Sequence, residues 1–184
     1  MAAYPWPQAI MYPFESLPDG AQDTEFYGPY NKLLYHLFPA DTNFVVSPGV
    51  YPPRNTDPAV EFTVFYNHMP VLLLQIKPPD HLRWASAREQ ADTENRRRLR
   101  DLVPLCPLPK LYALSAFGTK LRFYAAANEG IDPPASPLDA RNFVADTIPA
   151  SRWNSDILEE EGANLLKQTV AEIIARIYLA DDYD

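Results

Sequence analysis

The apolar positions change period along the chain, and each change marks an element. Over residues 24–38, TEFYGPYNKLLYHLF, apolar residues recur at Tyr30, Leu33, Leu34 and Leu37. That i, i+3, i+4, i+7 spacing predicts a helix, which Pro39 stops. Residues 43–51, NFVVSPGVY, read as a strand, and Pro48-Gly49 place it at an edge or a bulge. VEFTVFY (60–66) and VLLLQIK (71–77) are β-branched and aromatic runs, predicting two strands joined by a hairpin turn around Asn67-His68-Met69-Pro70. The run VLLL is apolar on both faces, as an internal strand is. A helix over about residues 81–103 follows, with Asp80 as its N-cap and Pro104 and Pro107 closing it. LYALSAF (111–117) and LRFYAAA (121–127) make a second hairpin about Gly118-Thr119-Lys120. Residues 128–150 carry Pro133, Pro134, Pro137 and Pro149 and read as a long ordered loop. Residues 156–179 form the clearest helix, with Leu166, Val170, Ile173, Ile174 and Ile177 on one stripe.

This order is helix, three strands, helix, two strands, loop, helix. It predicts an α/β domain: a sheet with helices packed on it. The helix at 81–103 is expected to cross over from the strand at 71–77 to a parallel neighbour. Residues 1–23, rich in proline and aromatics, are expected to form an extended arm on the domain. Residues 24–127 are its core, and 128–184 a loop and an amphipathic helix packed against it.

Composition narrows the classes. With 184 residues and 47% hydrophobic side chains, the chain suits one globular domain. Sixteen basic against 24 acidic residues give a formal charge of −8, unlike a protein that coats nucleic acid or adheres to anionic membranes. Residues 156–184 carry eight acids against Lys167 and Arg176, so most of the excess lies at the C-terminal end. One cysteine, Cys106, excludes a disulfide scaffold. Flanked by Leu105 and Pro107, it reads as buried and inert. His36, His68 and His81 have no ligand spacing. No apolar run reaches the roughly 18 residues needed to span a bilayer. The N-terminus lacks the pattern of a secretory signal. These features lead to the expectation of a reduced, cytoplasmic or nuclear protein.

Chemistry concentrates where the central strands meet. On one strand Gln75 and Lys77 point to the same face. With an odd-numbered hairpin loop, Glu61 lies opposite Gln75 on that face. A two- or four-residue loop puts it on the other face, unless a bulge intervenes. One register therefore gathers a carboxylate, an amide and an ammonium. Carboxylate and amide oxygens suit a hard cation, and a lysine there can orient a water beside a phosphate.

The element order resembles that of the PD-(D/E)XK superfamily of restriction-endonuclease-like nucleases. An acid opens the second strand, Glu61, and a tripeptide ends the third, Gln75-Ile76-Lys77. Glutamine at the middle acidic position resembles the Q-x-K variant of Mrr-like nucleases, and it is also what a degenerate member would carry. No Pro-Asp pair precedes the strand, the nearest candidate being Asp57 in Thr56-Asp57-Pro58. The resemblance implies a restriction-endonuclease-like core over 24–127 with a C-terminal helical extension. It implies Mg²⁺ (or Mn²⁺) held by Glu61 and Gln75, water handled by Lys77, and a supporting acid, Glu25, on the first helix. The activity so implied is hydrolysis of phosphodiester bonds in DNA or RNA. The alternative is an inactive nuclease-like fold that binds protein or nucleic acid. A register with Glu61 and Lys77 on opposite faces would instead favour an unrelated α/β interaction protein.

Six of the eleven arginines lie between 83 and 100: Arg83, Arg88, Arg96, Arg97, Arg98 and Arg100. Two readings stand. Arg88, Arg96, Arg97 and Arg100 track a nucleic-acid backbone, or the segment is a solvated face with i, i+4 pairs such as Asp92–Arg96 and Glu94–Arg98. The stripe of the last helix reads chiefly as core, with a homodimer interface as the other expectation.

Overall fold

Turn chemistry and one bulge set the register of the central sheet. The computed structural model describes residues 4–49, 60–135 and 146–181. In chain order these form α1 (Gln8–Glu15), α2 (Tyr27–Leu37), β1 (Phe44–Pro48), β2 (Val60–Tyr66), β3 (Met69–Lys77), α3 (Ala85–Leu102), β4 (Leu111–Phe117), β5 (Lys120–Ala127), β6 (Gly130–Asp132), β7 (Ser155–Asp156) and α4 (Glu160–Asp181). One mixed sheet runs β1-β2-β3-β4-β5-β6, with β7 on β5. β1, β2 and β3 meander antiparallel, β4 is parallel to β3, and β5 returns antiparallel to β4. Two neighbouring strands that point the same way need a crossover, and α3 supplies it. The α/β class and this parallel crossover follow the pattern of the sequence.

The β2–β3 turn is two residues long. Asn67 and His68 have φ of 46° and 67°, the left-handed values a tight type I′ turn requires at both positions. Without a further feature this turn would send Glu61 and Gln75 to opposite faces. Tyr66 pairs with Met69 and Phe65 with Pro70, but Val64 pairs with Leu72. Val71 is thus the extra residue of a bulge, and beyond it Glu61 stands opposite Gln75.

The two faces of the sheet are covered differently. Leu72, Leu74 and Ile76 of β3 lie in one large apolar cluster with Ile10 and Phe14 of α1, Leu33 and Leu34 of α2, and Leu166, Ile173 and Ile177 of α4. On the other face α3 packs with Leu99 and Leu102 on Leu73, Leu111 and Ala113, and Ile148 and Trp153 join Ala91 of the helix and Phe117 of β4.

Several boundaries differ from expectation. Within the expected arm, residues 4–23 are not extended. Residues 8–15 form α1, with Pro13 two residues before its end, and bury Ile10, Met11 and Phe14. Trp6 is buried as well, its Nε1–H donating to the Ile157 carbonyl at 2.7 Å. The first predicted helix opens as a 3-10 turn, Asp23–Phe26, before α2. Asp80 does not cap α3: Pro79–Arg83 is a 3-10 turn, and the helix starts at Ala85 behind Trp84. Residues 128–150 include β6, and α4 begins at Glu160 after β7. Gly162 lets α4 lie this close to β7, because a Cβ there would sit 2.0 Å from the Asp156 carbonyl oxygen. The stripe of α4 is spent on the core. Among the described residues, no helix is long and apolar enough to cross a membrane. Asp57 lies outside the described residues.

Candidate functional site

The register brings Glu61, Gln75 and Lys77 to one face, and that face is the one under α3. Ser115 of β4 and Arg122 of β5 continue the row, since Gln75 pairs with Ser115 and Ser115 with Arg122. Helix α3 meets this polar row with a polar stripe of its own. Its buried positions are Arg88, Ala91, Asp92, Asn95, Arg96, Arg98, Leu99 and Leu102. Their spacing is that of one helical face, carried mostly by side chains that ordinarily face water.

Glu94 and Arg98 join the helix to the candidate trio. Gln75 Nε2 donates to Glu94 Oε2 at 2.5 Å, and Lys77 Nζ lies 2.8 Å from the same oxygen. Asn95 Nδ2 donates to Gln75 Oε1 at 2.8 Å. Arg98 Nε donates to Glu61 Oε1 at 3.1 Å, with both side chains almost fully buried. Gln90 Nε2 donates to the other oxygen of Glu94. Two carboxylates therefore face two cations within one buried layer. Burial alone would raise the Glu94 pKa. The hydrogen bonds from Lys77 and Gln90, the Lys77 charge and the Gln75 amide together outweigh it and hold the carboxyl below its ordinary value.

A second cluster continues the layer toward β5. Asp92 Oδ2 accepts from Arg96 Nε at 2.7 Å. Its Oδ1 accepts the Tyr124 hydroxyl at 2.9 Å and lies 2.9 Å from Arg122 Nη1. Burial and the facing Asp92 charge push the Tyr124 pKa well up, while burial pulls that of Arg122 down. Arg96 and Arg122 also lie over the Tyr124 ring. Further along, Arg88 donates to the Leu82 and Ile148 carbonyls and pairs with Asp146.

The expected phosphate-binding arginines are thus divided. Arg88 and Arg96 are buried and bonded within the domain, Arg97 is half-buried, and Arg100 is exposed. A solvated face does not describe the segment either. Asp92 and Arg96 do pair, but under the helix, and Glu94 turns to Lys77 instead of Arg98. Glu25 is exposed and accepts the backbone N–H of Gln22 at 2.7 Å in its own capping box. The 3-10 turn that carries it leads into α2, which packs on the opposite face of the sheet.

Glu94 and Arg98, the two groups that complete the cluster, were not candidates from the sequence. For Arg98 the available signal was the stripe 88, 91/92, 95, 98/99, 102, which has helical spacing once polar residues are admitted to it; Glu94 lies beside that stripe and had no such signal. Glu94 also lines a cleft of about 920 Å³ along one flank of α3, with Glu89, Arg96, Arg100 and Thr147. Elsewhere, burial raises the Cys106 thiol pKa, in keeping with an inert side chain, although a Leu108 backbone hydrogen bond opposes the shift. His36 packs edge-on to Trp6, and His81 stacks on Trp84.

These residues do not fit Mg²⁺ as they stand. Glu61, Gln75 and Glu94 already accept from protein N–H groups, and Arg98 and Lys77 balance the two carboxylates. Among the described residues, no three His, Cys, Asp or Glu side chains are grouped to hold an ion. Compared with protein-family models, curated proteins and solved structures, the chain matches no family model, no curated protein and no solved structure.

Proposed function

We propose that this chain is a nuclease-like α/β domain that works by binding a protein partner and not by hydrolysing phosphodiesters. One observation carries the reading: the oxygens that would hold a metal are spent on the protein's own donors, Glu61 on Arg98, Gln75 on Asn95, and Glu94 on Gln75 and Lys77. A protein partner is favoured over nucleic acid because Arg88, Arg96 and Arg98 are turned inward and the formal charge is −8. The test is cleavage of labelled single- and double-stranded DNA and RNA in millimolar Mg²⁺ or Mn²⁺. The expected result is the same background for the wild type and for Lys77→Ala. Metal-dependent cleavage that Lys77→Ala abolishes overturns the proposal. Low-salt gel shifts with the same substrates address nucleic-acid binding, and tight binding weakened by Arg100→Ala would reverse the choice of partner.

A second reading has its own support. Glu94 places a carboxylate beside both Gln75 and Lys77, where the tripeptide itself has none. On that reading the chain is a metal-dependent nuclease of the restriction-endonuclease-like kind, and Glu94→Gln removes cleavage as fully as Lys77→Ala does.

A further inference from the structure

Glu61 is a carboxylate with 5% of its surface exposed. A carboxylate at that depth needs a cation against it, because the cost of removing it from water is not otherwise recovered. In a metal-dependent site that cation is the ion. Here it is the Arg98 guanidinium, itself 3% exposed. Arg98 stands four residues after Glu94 on the outward-charged sequence of α3, at the spacing of a helical ion pair. It does not make that pair. It crosses from the helix to β2, and Glu94 crosses to β3, so these two charges are committed to the sheet. Glutamine at position 75 fits the same arrangement. Its amide donates to Glu94 and accepts from Asn95, whereas a carboxylate there would face Glu94 as a second negative charge within hydrogen-bonding distance.

We propose that Arg98 takes the place of a divalent cation at Glu61, and that Arg98 and Gln75 together convert a cation-binding arrangement into a self-neutralised one. The proposal rests on the non-catalytic reading above and explains it by two residues. Removing the Arg98 charge and placing a carboxylate at 75 sets the new Glu opposite Glu61 on the neighbouring strand and within reach of Glu94, with Lys77 beside Glu94. That is a hard-oxygen donor set that gains from a divalent ion.

The experiment is thermal unfolding with and without Mn²⁺, together with calorimetric titration of Mn²⁺. It uses the wild type, Arg98→Gln/Gln75→Glu, and that pair with Glu61→Gln added. Circular dichroism verifies that each variant is folded. The wild type is expected to show no Mn²⁺-dependent shift. The double variant should melt lower than the wild type without metal, and Mn²⁺ should raise its Tm by about 5–10 °C at a hundredfold excess over Kd. Adding Glu61→Gln should abolish the rise. Arg98→Gln alone, which keeps an N–H donor toward Glu61, is the milder variant if the pair does not fold, and Mn²⁺ should raise its Tm by a smaller amount. Folded variants with no Mn²⁺ response overturn the role given to Arg98 while leaving the non-catalytic reading intact. A wild type that already binds Mn²⁺ through Glu61 overturns both.

Discussion

The two faces of the sheet solve the same packing problem with opposite chemistry. One face carries Leu72, Leu74 and Ile76 under three helices and is almost wholly apolar. The other has a smaller apolar patch around Leu73, Leu111 and Ala113 and, beside it, Glu61, Gln75, Lys77, Ser115 and Arg122 under α3, tied to the helix by ion pairs and hydrogen bonds. Apolar packing is non-directional, so its worth grows with buried area and tolerates exchange of shape. A buried ionic layer is directional. Each group is tolerable only while its partner is present, and a pair can often be replaced by apolar residues at little cost. The apolar face therefore supplies stability. The polar face fixes how α3 sits.

The sharpest way to break the comparison is to remove one ion of a buried pair. Glu61→Leu or Arg98→Met alone is expected to cost about 3–5 kcal/mol, and the two together should recover most of the loss. Urea unfolding of the three variants measures this, and a double variant no better than either single would refute the account of the polar face. On the apolar face, Leu74→Ala should cost about 2–5 kcal/mol, because the cavity cannot collapse under three helices. There a second truncation, Leu33→Ala, should add to the loss and never rescue it.

Glu94→Gln should be milder, about 1–3 kcal/mol, since it removes the charge from hydrogen bonds that persist in part. It should also change the pH profile. The Glu94 carboxyl is held below its ordinary 4.5 in the folded protein. Its contribution is therefore fully present above that value and is lost as pH falls through the lower, folded one. Stability of Glu94→Gln measured from pH 6 downward should accordingly fall less steeply than that of the wild type. The smallest effect is expected at Thr63, whose hydroxyl is fully buried and finds no partner among the described residues. Thr63→Val removes that unsatisfied group and should leave the unfolding free energy unchanged or raise it by at most about 1 kcal/mol. A clear loss would mean the hydroxyl is bonded to something further.

Much of the fold was legible in the chain. The strands at 60–66, 71–77 and 111–117 read correctly because β-branched and aromatic runs between turn residues leave few alternatives, and the crossover helix follows from its position between two of them. The short α1 was not legible, because proline counts against a helix and the burial of Ile10, Met11 and Phe14 that stabilises it is tertiary. Of the site, the sequence limited Glu61 to two positions relative to Gln75. The choice between them was made by the Val71 bulge, which changes pairing parity without any marked composition of its own.

Glu94 and Arg98 show where local reasoning stops. As i, i+4 neighbours of opposite charge they have a ready local pairing, and nothing in the string of residues says that each prefers a partner across a layer. The sequence alone determined the residue types, the periods and the charge, because these are set by covalent order and by interactions within a few residues. Which charges meet, and that the carboxylate of Glu61 meets Arg98 across the layer, was decided by the tertiary structure. Only burial makes an unpaired charge costly enough to select its partner.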